Sequence, residues 1–240
     1  MPRRSRAKPP SPFRGFHSSP ELIRLVVLMY VRFPLSLRNV EDLLFERGID
    51  LCHETVRLWW NHFGPLFAAD IRRQRVSRMR GFQHWKWSLD EMVVKINGET
   101  HYLWRAVDHE GEVLESYVTK TRDKAAALCF IRKALKRHGA PEKIVTDGLR
   151  SYGAAMKQLG NQHRQETGKG LNNRVENSHL PLRRHERAML RFRRMTSLQK
   201  FASAHANVLN HFQLKRHLVD RNTYKERRSA AYAEWQILMA

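Results

Sequence analysis

Three acidic residues have sequence surroundings that suit chemistry. Asp90 lies in a segment rich in apolar residues, Asp147 follows a short apolar segment, and Glu176 is a lone acid in a very basic stretch. Burying an unpaired carboxylate is costly, so such residues usually have a partner. Mg²⁺ and Mn²⁺ prefer oxygen ligands, and two such ions can assist an in-line displacement at phosphorus. If the fold brings the three carboxylates together, the sequence predicts metal-dependent phosphoryl transfer.

The first acidic position has a neighbour, Glu91, that competes with Asp90 for the role of ligand. Both lie in a predicted strand, where successive side chains point to opposite faces. We therefore expect only one of the two to reach a shared site. The strand pattern alone does not decide which.

The other two acidic positions each have an ordinary structural explanation beside the functional one. Asp147 ends a predicted strand at the carboxyl edge, where α/β sheets place their ligands, although it would also suit the N-cap of a following helix. Glu176 lies on a predicted helix, where a glutamate is usually a solvated charge. His179 follows one turn later, close enough to orient the carboxylate or a substrate phosphate.

The elements that must position these residues change in character near residue 85. From there the pattern indicates three strands in a meander, joined by turns at Asn97-Gly98 and Glu110-Gly111, and then a helix, a strand and further helices. This order predicts a ribonuclease H-like mixed α/β sheet with flanking helices. The predicted strands are 85–96, 100–107, 113–119 and 143–147, and the predicted helices are 123–138, 149–159 and 172–218, the last broken near Pro181.

The preceding segment predicts a small all-α helix-turn-helix domain. Its helices are expected at 20–33, 36–47 and 52–63, with Gly48 and Gly64 ending the second and third. The third would enter the major groove of DNA, although three helices also pack together in proteins that bind no DNA. Its predicted core residues are Val56, Trp59 or Trp60, and Phe63, and its candidate base-reading residues are His53, Glu54, Arg57 and Asn61.

The charge of the chain indicates a polyanionic partner. Lys and Arg number 44 against 23 Asp and Glu, a net charge of +21. Such an excess repels itself unless an anion is the usual partner, so nucleic acid is the expected ligand. After Glu176, arginines at 183, 184, 187, 191, 193 and 194 are spaced to line a helix, where they would contact phosphates or form a solvated face. The predicted division is a basic mobile arm at 1–19, the helix-turn-helix domain at 20–70, a basic connector at 71–84, the ribonuclease H-like domain at 85–218 and a basic tail or helix at 219–240.

Two further features bear on the compartment. Cys52 and Cys129 stand alone without paired spacing, which favours a reducing cytoplasm over a disulfide framework or a zinc site. The apolar segment 22–31 is too short to span a bilayer and contains Arg24. We therefore expect a cytoplasmic protein with no membrane partner.

Three motifs together resemble a known family. Trp87-Ser88-Leu89-Asp90-Glu91, Thr146-Asp147-Gly148-Leu149-Arg150-Ser151-Tyr152 and Asn172-Asn173-Arg174-Val175-Glu176-Asn177-Ser178-His179 are similar to the acidic motifs of DDE transposases, most closely the insertion sequence six family. The resemblance implies that Asp90, Asp147 and Glu176 are the catalytic and metal-binding triad, with Tyr152 in a supporting role. It departs at Met92, where many relatives have Thr, and in the shorter interval between the second and third motifs.

The resemblance also implies an activity and its partners. The expected enzyme binds terminal inverted repeats in duplex DNA and, with Mg²⁺ or Mn²⁺ as a substitute, cleaves 3′ ends and joins them to target DNA as a homodimer or higher assembly. Two alternatives stay open. One is a regulator or decayed transposase that binds DNA without cutting it, and the other is an RNA-binding or RNA-cleaving protein of the same fold, which would leave the helix-turn-helix unexplained.

Overall fold

A five-stranded mixed sheet forms the centre of the computed structural model, which describes residues 11–78, 85–168, 170–213 and 219–239. The strand order is β3-β2-β1-β4-β5; β1 pairs antiparallel with β2 and parallel with β4. This topology, with helices on both faces, confirms the predicted ribonuclease H-like class. The strands are β1 (Lys86–Ile96), β2 (Glu99–Asp108), β3 (Val113–Thr119), β4 (Lys143–Thr146) and β5 (Gln165–Thr167), of which β5 was not predicted.

The meander forms where the turn residues predicted it. Asn97 and Gly98 have φ angles of 51° and 84°, the left-handed conformation that a tight two-residue hairpin requires. The hairpin fixes a register in which Asp90 on β1 lies directly opposite Arg105 on β2. Residues that face each other in an antiparallel pair project from the same side of the sheet.

Each face of the sheet buries its own set of apolar side chains. Trp87, Leu89 and Trp104 pack with Phe130 and Tyr152, which belong to the two helices on that face, α4 and α5. The other face packs against the N-terminal helices, α6 and α7. The helices are α1 (Pro20–Arg32), α2 (Leu37–Phe45), α3 (His53–Arg78), α4 (Lys124–His138), α5 (Arg150–Gln158), α6 (Asn173–Ala188), α7 (Met195–Phe212) and α8 (Arg221–Gln236).

Helix α3 continues well past the end predicted for it. The expectation that Gly64 closes the helix is wrong, because the helix runs through Gly64 and Pro65 to Arg78. Gly64 serves packing instead, since a Cβ atom there would overlap the Trp60 indole ring. Buried Ile71 anchors the added turns, so 71–78 of the predicted connector is helical, while 79–84 lies outside the described residues.

Part of the predicted mobile arm is packed. Phe13 is buried and stacks on Phe63 with ring centroids 5.0 Å apart, and Phe16 lies 4.8 Å from the same ring. Arg24 places its guanidinium 4.7 Å from the Phe13 ring centroid. The basic, proline-rich composition of this segment gave no indication that Phe13 and Phe16 would pack against the core. Residues 1–10 lie outside the described part of the chain.

The predicted break near Pro181 is also wrong. Helix α6 continues through Pro181, because Leu182 and His185 beyond it are buried and hold the helix against the fold. The chain turns instead at Leu190 and Arg191, with φ angles of 56° and 73°. Helix α7 starts four residues later.

The N-terminal helices and the sheet share one hydrophobic core. Tyr30, Trp60 and Phe201 of α1, α3 and α7 form an aromatic cluster, and the Trp60 and Phe201 centroids are 5.4 Å apart. Helix α8 closes the same core, with buried Trp235 against Phe67. No helix in the described parts of the chain has the length and apolarity needed to cross a bilayer.

Candidate active site

Three carboxylates converge where β1 extends beyond β4. The parallel pairing of these strands ends at Leu89 and Thr146, so the next residues of each strand emerge together at the sheet edge. One carboxylate oxygen from each of Asp90, Glu91 and Asp147 lies within 4.8 Å of the other two. Three oxygen donors at this spacing suit a hard divalent cation.

The expectation that Asp90 and Glu91 could not serve one site is wrong. The alternation of the strand is kept, since Asp90 contacts α6 on one face while Glu91 points to Arg122 and Tyr152 on the other. Beyond the last β4 pairing, however, no parallel neighbour separates the two faces at this edge. Both side chains therefore reach the same space around it.

Asp90 is held by the helix that lies across the sheet. Its Oδ2 lies 3.1 Å from Nε2 of His179 on α6. Burial lowers the pKa of His179, and the hydrogen bond with Asp90 partly offsets that effect. Asn172, just before α6, donates from Nδ2 to the Leu89 carbonyl over 3.0 Å, so α6 contacts β1 at both Leu89 and Asp90.

Glu91 lies in a more enclosed environment. Burial raises its pKa to about 7; the Tyr152 hydroxyl and Arg122 lower it, while Asp147 and Asp90 add to the rise. Arg122, in the segment before α4, forms an ion pair with Glu91, and its Nη2 lies 3.6 Å from Oδ2 of Asp147. A guanidinium thus lies beside the acidic cluster.

Asp147 is not the N-cap of a helix. Helix α5 begins at Arg150 after Leu149, and its N-cap makes no side-chain hydrogen bond. Asp147 instead accepts the Leu149 backbone N–H at Oδ1 over 3.2 Å, and its Oδ2 lies near Arg122. The alternative explanation for Asp147 is therefore wrong.

Glu176 lies outside the cluster of converging carboxylates. It is exposed in the first turn of α6, one turn before His179. The structure brings Asp90 and Asp147 together with Glu91, not with Glu176.

Sequence reasoning missed Arg105, which is fully buried in the middle of β2. It donates from Nη1 to the Ser178 carbonyl of α6, while its Nε and Nη2 have no hydrogen-bond partner among the described residues. Burial lowers its pKa to about 10. The signal was present in Leu103-Trp104-Arg105-Ala106-Val107, where one arginine interrupts an apolar strand.

Comparisons with known proteins show the family of the chain. A family model described as a DDE domain matches residues 84–217. The transposase for insertion sequence-like element IS431mec of Staphylococcus aureus strain Mu50 is 32% identical over 172 residues, covering 70% of this chain and 75% of the relative. The chain belongs to the DDE transposases of insertion sequences.

Two further matches complete the comparison. The transposase for insertion sequence element IS257 in transposon Tn4003 of Staphylococcus aureus is 31% identical over the same share of this chain. The catalytic core domain of HTLV-2 integrase in complex with magnesium, in its dimeric form, aligns with a TM-score of 0.42 and 18% identity, covering 57% of this chain and 92% of that one.

The first turns of α3 carry the predicted DNA-reading residues of the transposase. Val56, Trp59, Trp60 and Phe63 are all buried, as the core prediction required. The four candidate base-reading residues differ in their contacts with the rest of the protein. Glu54 and Arg57 are exposed and form an ion pair with each other over 2.9 Å. His53 forms a hydrogen bond with Glu41 of α2, and Asn61 accepts a hydrogen bond from Lys200 of α7.

The expectation that the arginines after the third motif line one helix is wrong, because α6 ends at Ala188 and Arg191, Arg193 and Arg194 lie beyond it. The three on α6 fall into two groups. Arg183 donates to Glu186 and to the Val93 carbonyl of β1, so it fastens α6 to the sheet. Arg184 and Arg187 are exposed on the same helix. Exposed guanidiniums are available to phosphates, whereas Arg183 already has protein partners.

Proposed function

We propose that this transposase binds the terminal inverted repeats of its element, cleaves their 3′ ends and joins them to target DNA at a site formed by Asp90, Asp147 and Glu176. The observation that carries the proposal is the approach of Asp90 and Asp147 at the edge of a ribonuclease H-like sheet. The enzyme uses divalent metal, as DDE transposases do, and Mg²⁺ is the proposed ion, with Mn²⁺ as a substitute.

The donor set fits such an ion. Asp90 and Asp147 bring carboxylate oxygens together, and Glu176 would add a third carboxylate, the kind of ligand that Mg²⁺ prefers. Bound there, the metal would activate the attacking hydroxyl and stabilise the departing oxygen. Asp90 would hold it from β1, where Asp90 pairs with Arg105, and Asp147 would hold it from the position directly after β4.

The third ligand has two candidates. Glu176 is exposed on α6, the helix that carries the partner of Asp90. Glu91 is closer to the other carboxylates but already has Arg122 as its ion-pair partner and a raised pKa. We propose Glu176, because an exposed carboxylate gives up less on binding a metal than one that must first lose a cationic partner.

Three other side chains support the site. His179 orients Asp90 through Nε2, and a partner of this kind fixes the direction of a ligand. Tyr152 is buried on the face of the sheet opposite to Asp90, where its hydroxyl interacts with the Glu91 carboxylate. Arg105, opposite Asp90, ties α6 to β2 through the Ser178 carbonyl.

Recognition of the element ends is assigned to α3, with Arg57 as the foremost reader. The shared core makes removal of residues 1–70 an unsuitable test, since it would strip Trp60 from Phe201. Arg57→Ala is cleaner: if Arg57 contacts a base, the preference for element ends over random DNA falls by about 1–3 kcal/mol. An unchanged preference would remove Arg57 from this role.

Synapsis of two ends requires at least a homodimer, and the proposed setting is the nucleoid in a bacterial cytoplasm. Exposed Arg184 and Arg187 would contact phosphates of either DNA.

The experiment uses duplexes that carry the DNA flanking the gene, with shuffled duplexes as controls. We expect the transposase to bind the flanking duplexes preferentially and to nick them when Mg²⁺ is added but not in chelator. Binding without any nicking would indicate a regulator or a decayed copy. A preference for RNA over duplex DNA would contradict the proposal in a different way.

A further inference from the structure

A basic groove outside the acidic cluster runs between the N-terminal helices, α6 and α8. It consists of two adjoining cavities of about 730 Å³ and 590 Å³. Arg32, Phe33 and Arg228 line both cavities and form the wall that the two cavities share. Cavities of this size hold an organic ligand of ordinary dimensions, larger than a single phosphate.

Four cations line the groove, and one of them, Arg228, donates from Nη1 to the Tyr224 hydroxyl over 2.7 Å. Arg174 lines the first cavity and Lys225 the second, in addition to Arg32 and Arg228. Among the described residues, no ion pair joins any of these four cations to a carboxylate, although the wall also contains the exposed Glu110. Burial, together with the smaller effect of nearby Arg228, lowers the pKa of Arg32 to about 10. Cations held together in this way are stabilised by an anion.

Aromatic rings are interleaved with the cations. Phe33 lines both cavities and is 40% exposed, and Tyr232 lines the second cavity and is 37% exposed. Phe212 lies under the Arg32 guanidinium, 3.9 Å from ring centroid to Cζ, which fixes that cation at the groove. Alternating cations and exposed rings are the pattern that binds single-stranded nucleic acid, where bases stack on the rings and phosphates meet the cations.

One end of the groove reaches the helix of the proposed active site. Asn177 and Ser178 form part of the first cavity wall, and they lie between Glu176 and His179 on α6. The Ser178 carbonyl also accepts the hydrogen bond from buried Arg105. The groove and the proposed third ligand Glu176 therefore share α6.

We propose that this groove binds a short single-stranded segment of DNA that is continuous with the strand in the active site. The inference rests on the proposed function, because it takes DNA as the substrate. The phosphates of the segment lie against Arg174, Arg32 and Arg228, and one unpaired base stacks on Phe33. The groove thus favours DNA ends that are frayed over ends that are fully paired.

The test measures binding by fluorescence anisotropy with three labelled probes: a blunt duplex, the same duplex with a short single-stranded tail, and that duplex with an abasic tail. Wild-type protein is expected to bind the tailed duplex at least about five-fold more tightly than the blunt one. The abasic tail should recover only part of this gain, since it keeps the phosphates and lacks the bases.

Two variants assign the effect to the groove. Arg228→Gln should abolish most of the gain for both tails, and Phe33→Ala should make the normal and abasic tails equivalent. Arg132→Gln, an exposed position on α4 across the sheet, removes the same charge and should keep the full preference. Thermal unfolding checks that each variant is folded.

The outcomes separate this inference from the proposed function. Wild-type protein that binds all three probes equally, or groove variants that keep the full preference, would overturn the groove assignment and leave the transposase function standing. Failure of wild-type protein to bind any DNA would overturn both.

Discussion

The Nε2 atom of His179 on α6 lies 3.1 Å from Oδ2 of Asp90 on β1. This contact joins a helix that bears the third acidic motif to a strand that bears the first. It fixes the direction in which the Asp90 carboxylate points.

The contact predicts a positioning role for His179. His179→Phe should keep the fold, because an apolar ring suits the buried position of His179. It should weaken Mn²⁺ binding and strand cleavage by about ten- to hundred-fold, the usual effect of losing a side chain that orients a metal ligand. Electron paramagnetic resonance of Mn²⁺ gives the affinity independently of activity. His163→Gln, at an exposed position, is the control. Unchanged Mn²⁺ affinity in His179→Phe would exclude this role.

Gly64 predicts a specific packing defect. Gly64→Ala should reduce the free energy of unfolding by about 1–3 kcal/mol, because the new Cβ overlaps the buried Trp60 ring. Gly153→Ala in α5 is the matched control: its nearest neighbour is 3.9 Å away, and alanine favours a helix. Urea unfolding compares them. Equal stability of the two variants would show that the core yields easily at Trp60.

Two buried histidines predict how stability depends on pH. Burial lowers the pKa of His205 well below its ordinary value and that of His185 to about 4. Below pH about 6.5 the unfolded chain binds protons that the folded chain does not, so stability should fall as the pH falls. His205→Phe removes one such group, and its stability relative to wild type should increase by about 2 kcal/mol between pH 7 and pH 5.

Urea unfolding at several pH values measures this difference. Phenylalanine suits the site, because His205 stacks on Phe201 with centroids 5.5 Å apart and has no hydrogen-bond partner among the described residues. A difference that did not change with pH would mean that burial does not lower the pKa of His205 below its value in the unfolded chain.

Neighbouring arginines on α6 should behave differently. Replacing exposed Arg184 and Arg187 with Gln should each reduce the salt dependence of DNA binding by about one unit of slope. Arg183→Gln should instead lower the thermal unfolding midpoint, because Arg183 bonds Glu186 and the Val93 carbonyl. Titrations at several salt concentrations decide the matter. The opposite pattern would mean that Arg183 faces DNA.

Much of the fold could be predicted because local signals were strong. Turn residues at Asn97-Gly98 and the apolar alternation of β1 defined the meander. Errors arose where tertiary packing overrides local preference: Gly64 and Pro181 lie inside helices because buried neighbours hold those helices together. Similarly, Phe13 packs into the core despite its basic surroundings.

The site was predictable in part. Asp90 and Asp147 stood out as polar residues within or directly after apolar strands, and the structure brings them together. The approach of Glu91 to the other carboxylates could not be predicted from the sequence. It depends on where β1 stops pairing with β4, which is at Leu89, one residue before Asp90. The pairing of Arg122 with Glu91 depends on a loop whose course no local pattern specifies.

Strand cleavage by carboxylate variants in the presence of Mg²⁺ tests whether Asp90, Asp147 and Glu176 form the catalytic site. We predict that Asp90→Asn, Asp147→Asn and Glu176→Gln each abolish cleavage and joining, that double variants are hardly worse than single ones, and that all still bind DNA, since each keeps its size and loses only a metal-binding charge. Exposed Glu142→Gln should remain active. Loss of activity in Glu91→Gln with near-normal activity in Glu176→Gln would move the third ligand to Glu91, and full activity in both aspartate variants would contradict the mechanism.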